Sequence, residues 1–198
     1  MFVEASDLGP DATYALLVGS VVPRPIAWIT SGLPPKPLNL APFSAFTWVS
    51  QYPAMLGFTA NRRGDSRKDT VRNIEEDGQF VVNIAADDML DDLHASSAFL
   101  EAGASEADAL GLVGAPSDVV GVPRLARAPI SMECEHTHTI EFSPTGGEFV
   151  VGRVVGWHVD DAVVERGRIV TERLRPIGRL GGPRYTSLGP VTELAPVD

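Results

Sequence analysis

The chain is poor in several features that define whole classes of protein. Of its 198 residues only Cys134 is a cysteine, so no disulfide can form within the chain, and a reducing cytoplasm is the expected compartment. No run of eighteen uncharged apolar residues occurs, and residues 1–10 carry Glu4 and Asp7 without a basic cluster. We therefore expect neither a membrane span nor a signal peptide. Lys and Arg total 16 against 26 Asp and Glu, and the resulting net charge of −10 makes nucleic acid an unfavourable partner.

Sequence motifs of common nucleotide and hydrolase chemistry are also lacking. There is no Walker-type or Rossmann glycine pattern, so nothing supports an ATP site or a dinucleotide-binding fold of those kinds. Ser96 and Ser97 fall in a helical stretch without the pattern of a nucleophile elbow, which argues against a hydrolase. Strands and helices do not alternate regularly, which disfavours a parallel sheet with crossover helices.

The sequence does contain a series of short apolar runs separated by proline and glycine. These runs predict strands over 26–30, 38–41, 43–49, 55–59, 80–84, 130–142, 149–159 and 175–180. A helix is predicted over 66–77, with Ser66 and Asp69 as a near capping box and Gly78 as its stop, and a helical excursion over 87–114. We therefore expect a mainly β fold in which residues 1–198 form one domain, a closed antiparallel barrel with helical excursions.

One cluster of basic residues contrasts with the acidic composition. Five of the sixteen basic residues fall within eleven positions: Arg62, Arg63, Arg67, Lys68 and Arg72. Backbone N–H groups at a helix start are unsatisfied and attract anions, so this stretch, with the hydroxyl of Thr70, suits a phosphate group. A solvated helix start explains the same charges, and both interpretations remain open at this point.

The segment Asn39 to Phe46 is a second candidate. Pro42 removes a backbone donor and fixes its φ angle, which leaves neighbouring backbone groups free to meet a planar polar ligand. Asn39 and Ser44 add side-chain donors and acceptors. The alternative is a strand that ends in a turn.

A third candidate is the spacing of Cys134, His136 and His138 on the predicted strand 130–142. Alternate residues share one face of a strand, about 7 Å apart, and we expect this face to be the less polar one. Zinc or iron would need a fourth ligand, so we predict that the three residues bind no metal. We expect at least one of the histidines to lie near a ligand cleft, with hydrogen-bonded core histidines as the alternative.

Several segments together resemble the flavin reductase-like family of FMN-binding split barrels, which includes flavoredoxin. The resemblance covers about residues 12–187 and rests on order and spacing, because each motif alone is weak. The segments are 23–30 (PRPIAWIT), 39–44 (NLAPFS), 68–70 (KDT), 73–74 (NI), 80–83 (FVVN), 94–97 (HASS), 105–106 (SE), 132–135 (MECE), 151–154 (VGRV) and 179–185 (RLGGPRY).

The resemblance implies a split β-barrel that binds FMN non-covalently near the interface of a homodimer. By matching positions it implies two groups of cofactor-binding residues. The isoalloxazine ring would be edged by Asn39, Ala41, Pro42 and Ser44, and the ribityl phosphate would be surrounded by Thr59, Arg62, Lys68, Asp69 and Thr70. Trp28, Trp48 and Trp157 are candidates for the dimer interface, with burial in the core as the alternative for each.

The function implied is an FMN-binding oxidoreductase that reduces flavin or a small acceptor with NADH or NADPH. The family's short flavin reductases often carry a Gly-Asp-His triplet before the VGRV strand, where this chain has Thr145, Gly146 and Gly147. That departure favours an alternative, an FMN-bound electron carrier that receives electrons from a partner protein. A flavin-free ligand-binding barrel is a third possibility. No catalytic residue is assigned.

Overall fold

The structure, a computed structural model, describes residues 1–62, 64, 66–101, 103–142 and 147–197. The strands are β1 (Arg24–Pro25), β2 (Ala27–Ser31), β3 (Asn39–Phe43), β4 (Phe46–Ser50), β5 (Met55–Asn61), β6 (Gln79–Ile84), β7 (Gly114–Ala115), β8 (Arg124–Leu125), β9 (Ile130–Glu141), β10 (Gly147–Val159), β11 (Val164–Glu165), β12 (Arg168–Ile169), β13 (Gly178–Arg179) and β14 (Tyr185–Thr186). The α-helices are α1 (Pro10–Ser20), α2 (Asp69–Asp77), α3 (Leu90–Ala95), α4 (Glu106–Ala109) and α5 (Thr171–Leu174). Short 3-10 turns span Ala5–Asp7, Asp87–Met89 and Asp161–Val163.

The main sheet closes on itself. Its seven antiparallel strands run in the order β3-β2-β6-β9-β10-β5-β4. The strands at its two ends, β3 and β4, are consecutive in the chain and are linked only by Ser44 and Ala45. The sheet must therefore curl until its edges meet, and the rings of Phe43 and Phe58 pack across the interior with centroids 4.7 Å apart. The predicted antiparallel barrel is confirmed.

Apolar side chains fill both faces of this sheet. Inside the barrel, Ile29, Phe58, Phe80 and Val82 belong to one cluster of buried side chains. A second cluster lies outside, where Trp28 packs with residues of α3 and its neighbours. Because β2 is covered on both sides, all five of its residues are buried, which explains its unbroken apolar sequence.

Two bulges shape the long hairpin of β9 and β10. Register shifts occur between Val151 and Gly152 and between Val154 and Gly156, and glycine within a strand often marks such a bulge. A Cβ on Gly152 would lie 2.5 Å from the ring of Phe80, so only glycine lets that ring pack against β10.

The helix predicted over 66–77 begins three residues later than expected. The structure starts α2 at Asp69, with Lys68 in an extended conformation at the N-cap and no side-chain cap, so Ser66 and Asp69 do not form a capping box. The side chain of Asp69 instead pairs with Arg72. The predicted stop is confirmed, because Gly78 adopts the left-handed conformation and its N–H bonds to the carbonyl of Ile74.

The helical excursion predicted over 87–114 is broken into short pieces. A 3-10 turn leads into α3, and α4 follows after an irregular segment. Among the described residues, no helix is long and apolar enough to cross a membrane.

Candidate functional site

A cavity of about 310 Å³ opens between strand β3, the N-terminus of helix α2 and the segment that follows α3. It brings together residues that are more than fifty positions apart in the sequence. Its lining comprises Asn39, Ala41, Pro42, Phe43, Ser66, Arg67, Lys68, Asp69, Thr70, Arg72, Ser96, Ser97, Ala98, Phe99, Leu100 and Glu106. Six of the nine predicted cofactor-binding residues are therefore in this lining: Asn39, Ala41, Pro42, Lys68, Asp69 and Thr70.

The N-terminus of α2 faces this cavity without a capping side chain. Lys68 occupies the N-cap position, and no hydrogen bond from a described side chain caps the helix. The first backbone N–H groups of an α-helix have no acceptor within the helix, and the helix dipole adds partial positive charge there. With the ammonium group of Lys68 beside it, this end of the cavity suits an anion such as a phosphate.

A buried polar network ties the strand wall of the cavity to the helix. The Asn39 side-chain amide donates to Thr70 Oγ1 at 2.9 Å and to Ser31 Oγ at 3.0 Å. Asn39 is 8 % exposed and Thr70 is 1 % exposed, so these bonds form away from water and are strong. These bonds thereby fix the position of β3 relative to the N-terminus of α2.

The edge of β3 that does not pair with β2 is covered by polar groups at the start of α4. Leu40 donates its N–H to the Glu106 carboxylate at 3.0 Å, and Ser105 donates its hydroxyl to the carbonyl of Leu38 at 2.8 Å. Outward-facing backbone groups alternate along an edge strand, so the next position on this edge is Pro42, which has no N–H to satisfy. The edge is thus closed at Leu38 and Leu40 and faces the cavity at Pro42.

The segment after α3 forms the outer wall, and sequence reasoning did not assign it to the site. Trp28 donates its indole N–H to Ser96 Oγ at 2.9 Å, which anchors the segment to β2. Ser97 and Phe99 then reach the lining. The signal was present, because 94–97 and 105–106 belong to the segments that resemble the family, but no local pattern linked their polar groups to a cofactor.

Guanidinium groups of the basic cluster are paired with carboxylates. Arg67 pairs with both carboxylate oxygens of Glu75 at 2.8 Å, which lowers the pKa of Glu75, and its Nε lies 2.7 Å from Glu148. Arg62 pairs with Glu148 and Glu141 at 3.4 and 3.1 Å. Arg63 lies outside the described residues.

Two of the predicted phosphate residues lie away from the 310 Å³ cavity. Thr59 and Arg62 sit on β5 and just after it, beyond the lining. Arg62 is held by acidic partners on β9 and β10, which are too distant in sequence to be anticipated from local patterns.

Ser44 borders a second, smaller cavity of about 220 Å³. This cavity shares Pro42 and Ser97 with the larger one, so the two are adjacent. Its remaining lining is contributed by α1, β1 and the segment from β13 to β14: Tyr14, Val18, Arg24, Ile26, Arg179, Leu180, Gly182 and Tyr185.

Cys134, His136 and His138 do not share one environment. Cys134 is buried and burial raises its pKa, His136 bonds through Nε2 to Thr139 Oγ1 at 2.9 Å, and His138 is exposed. The bulge opposite Thr137 breaks the predicted alternation, since Gly152 pairs with His136 and Val151 with His138. Neither histidine lines either cavity, so the structure places both away from the candidate site.

The predicted polar face of β9 is also interrupted, because Glu133 is fully buried. Its carboxylate accepts hydrogen bonds of 2.7–2.8 Å from the backbone N–H groups of Asp118, Val119 and Val120, and one of 2.5 Å from His158 Nε2. Burial by itself would raise the pKa of Glu133, but these donors outweigh it and hold the pKa at about 2.

Comparison with known proteins agrees with this geometry. The model of the family described as Flavin reductase like domain matches residues 18–173. Component B of nitrilotriacetate monooxygenase from Bacillus cereus is 35% identical, with a TM-score of 0.93 over 98% of each chain. The 2-nitrobenzoate 2-nitroreductase of Pseudomonas fluorescens is 32% identical, with a TM-score of 0.90 over 98% of this chain and 95% of that one.

A split barrel domain protein from Shewanella frigidimarina, only 19% identical, superposes over 100% of both chains with a TM-score of 0.85 and shows the fold alone. The barrel described above is therefore a split barrel, as the resemblance implied. This chain belongs to the flavin reductase-like domain family.

Proposed function

We propose that the chain binds FMN non-covalently in the 310 Å³ cavity and acts as an oxidoreductase, with NADH or NADPH as donor and flavin or a small molecule as acceptor. The observation that carries this proposal is the uncapped N-terminus of α2, with Lys68, at one end of a cavity whose other wall is Asn39 to Pro42. An anion-binding end joined to a polar strand edge matches a ligand with a phosphate at one end and a planar polar ring at the other.

The residues present fit such a ligand. Thr70 and Asn39 are already fixed by their mutual hydrogen bond, so the lining is preorganised. Lys68 adds the charge of an ammonium group at the N-cap of α2, in the lining of the cavity. Preorganised donors of this kind lower the cost of ordering a bound ligand.

When bound, FMN would supply two-electron redox chemistry, which no amino-acid side chain provides. The chain's own part would be to hold the phosphate at Lys68 and the N–H groups of α2. Asn39, Ala41 and Pro42 would position the ring edge, and the segment around Ser97 would restrict water.

Similarity to enzymes supports catalysis. One solved relative above 30% identity is a nitroreductase and another is a component of a monooxygenase. Both cover nearly the whole of this chain, so the similarity includes the cavity walls as well as the barrel.

The second candidate function is an FMN-bound electron carrier served by a partner protein. It is favoured by the departure from the Gly-Asp-His triplet, of which Thr145 and Gly146 lie outside the described residues. At the third position, a Cβ on Gly147 would approach the methyl group of Thr59 to 2.3 Å. The histidine of the short reductases therefore has no room there unless β5 or Thr59 shifts.

We also propose a homodimer. Trp48 and Trp157 are 68 % and 55 % exposed, and apolar side chains of that size on strands are suited to an interface. Trp28, the third candidate, is excluded because it is fully buried and bonded to Ser96.

The experiment is to purify the protein, record its visible spectrum, and titrate FMN by fluorescence quenching. NADH and NADPH oxidation is then followed with and without added FMN. We expect saturable FMN binding and flavin-dependent oxidation of one of the two donors. FMN binding without donor oxidation would favour the electron carrier over the enzyme as the function. Absence of FMN binding would overturn both proposals.

A further inference from the structure

The charged side chains that line the 220 Å³ cavity are positive, whereas the chain as a whole is negatively charged. Two guanidinium groups, Arg24 and Arg179, line it, and the lining contains no aspartate or glutamate. Within the part of the chain that the structure describes, neither arginine forms an ion pair with a carboxylate. In a protein of net charge −10, an uncompensated pair of cations beside a cavity creates a local site for an anion.

Arg24 is the fixed member of the pair. Its Nη1 donates to the carbonyls of Val18 and Val21 at 2.8 and 2.6 Å, and its Nη2 donates to the carbonyl of Leu180 at 2.9 Å. These acceptors are neutral, so they hold the side chain in place without cancelling its charge. Arg24 therefore joins the end of α1 to the segment after β13 and leaves the positive charge at the cavity.

Arg179 keeps several N–H groups that are available to bind a ligand. Its guanidinium carbon lies 4.4 Å from the ring centroid of Tyr185, and its Nη1 donates to the phenolic oxygen of the same residue. Tyr185 is itself held through its hydroxyl by Nδ1 of His94 at 2.9 Å. A guanidinium has five N–H groups, so Arg179 is oriented by Tyr185 and still has the fork that binds a carboxylate in bidentate fashion.

The size and walls of the cavity define the ligand further. Its volume of about 220 Å³ is below the roughly 300–1,000 Å³ of sites that take drug-sized ligands, which excludes a dinucleotide within it. Ile26, Leu180 and Val18 supply apolar side chains to the same lining. Pro42 and Ser97 are shared with the larger cavity, so a ligand here would touch whatever that cavity holds.

We propose that this second cavity is the acceptor subsite, and that it takes a small single-ring carboxylic acid whose carboxylate pairs with Arg179 and Arg24. This inference deepens the proposed function and rests on it, because the larger cavity must hold FMN for the neighbouring ligand to be an electron acceptor. Tyr185 is a positioning residue that fixes the guanidinium of Arg179.

The test uses benzoate as the probe, measured by titration calorimetry with the FMN-loaded and the FMN-free protein. We expect saturable benzoate binding to the loaded protein and at least about tenfold weaker binding of benzamide, the neutral analogue. Arg179→Met should weaken benzoate binding by about ten- to a hundredfold, as for the loss of a charge-assisted hydrogen bond. Arg179→Lys, which keeps the charge without the fork, should be intermediate.

Arg184 provides the matched control, because it is exposed, belongs to the same segment and does not line the cavity. Arg184→Met should leave benzoate affinity unchanged, and melting curves of all variants show that each is folded. Equal affinity for benzoate and benzamide, or equal affinity of Arg179→Met and the parent chain, would overturn the proposal.

Three further outcomes separate this inference from the proposed function. If benzoate competes with FMN instead of binding beside it, the small cavity belongs to the flavin site and the acceptor subsite is wrong. If ADP-ribose, and not benzoate, depends on Arg179, the anion is that of the nicotinamide donor and the proposal also fails. If FMN itself does not bind, the proposed function fails, while benzoate binding to the FMN-free protein still decides whether Arg179 forms a carboxylate site.

Discussion

The side chain of Asn39 donates a 2.9 Å hydrogen bond to the hydroxyl of Thr70, which links strand β3 to the first turn of helix α2. The two residues are 31 positions apart and both are buried. One of them belongs to the predicted ring edge and the other to the predicted phosphate end of the cofactor site. Their bond therefore sets the distance between the two parts of the cavity.

Replacing Thr70 by valine tests this link. The change keeps the shape of the side chain but removes the acceptor, so the buried amide of Asn39 loses one partner. We expect unfolding in urea to become easier by about 1–3 kcal/mol, and FMN affinity to fall as well. Thr47→Val is the control, because Thr47 is exposed and, among the described residues, its hydroxyl bonds to the neighbouring carbonyl of Trp48 alone. Equal stability of the two variants would contradict the link.

Lys68 should be the main side-chain cation for the phosphate. Lys68→Met is expected to weaken FMN binding by about ten- to a hundredfold, measured by fluorescence quenching, because a charge-assisted hydrogen bond is lost. Lys36→Met serves as the comparison, since Lys36 pairs with Asp77 and Glu76 at the other end of α2. If both variants bind FMN like the parent chain, the phosphate lies elsewhere.

Arg62 should contribute much less than its place in the basic cluster indicates. Its guanidinium is already paired with Glu141 and Glu148, and it lies outside the lining of the cavity. We expect Arg62→Met to change the FMN dissociation constant by less than about threefold, a small fraction of the charge-assisted bond assigned to Lys68. A loss as large as that of Lys68→Met would show that Arg62 exchanges its carboxylate partners for the phosphate.

Glu133 makes stability depend on acid pH. Its folded pKa of about 2 lies below the usual 4.5, so its stabilising effect is complete above pH 4.5 and is lost as the pH falls through about 2. At pH 7 we expect Glu133→Gln to lower the free energy of unfolding by roughly 3 kcal/mol, and the difference from the parent chain to shrink towards pH 2. Glu135→Gln, on the same strand but exposed and paired with Arg153, should have little effect at any pH. A constant difference between pH 7 and pH 3 would contradict the assignment.

The dimer is tested through Trp48. Sedimentation of the parent chain should give a mass near twice 21.1 kDa, and Trp48→Arg should shift it towards the monomer by placing a charge in an apolar contact. Trp48→Phe, which keeps the apolar character, should remain dimeric. A parent chain that is monomeric and saturated with FMN would contradict the dimer.

Local patterns predicted the barrel and the stop of α2 at Gly78, because strand periodicity and helix ends depend on neighbouring residues. The six predicted residues that line the larger cavity were implied by the resemblance to the family. The start of α2 was misplaced since Ser66 makes no capping bond and Lys68 takes the N-cap position. Alternation puts Glu133 on the face of β9 opposite the one predicted to be less polar, yet it is buried. Its burial depends on the backbone N–H groups of residues 118–120, which come from another segment, and on His158.

Long-range pairings account for what the sequence could not show. Arg62 finds its partners 79 and 86 positions away, and Arg24 bonds to a carbonyl 156 positions away. No local pattern relates such residues, although their segments resemble the family in the right order. The second cavity forms because β1 pairs with β13, which brings Arg24 and Arg179 to the same lining.

The two-residue link between β3 and β4 has a consequence for rearranged versions of this chain. Cutting the chain at Ser44 and Ala45, as in a circular permutation, would remove the short join that holds the first and last strands of the sheet side by side. Because β3 and β4 form no ladder with each other, their two edges would then separate, and separated edges invite edge-to-edge aggregation. A permutant opened at the exposed turn around Gly167 keeps that join, and it should stay soluble where the other precipitates.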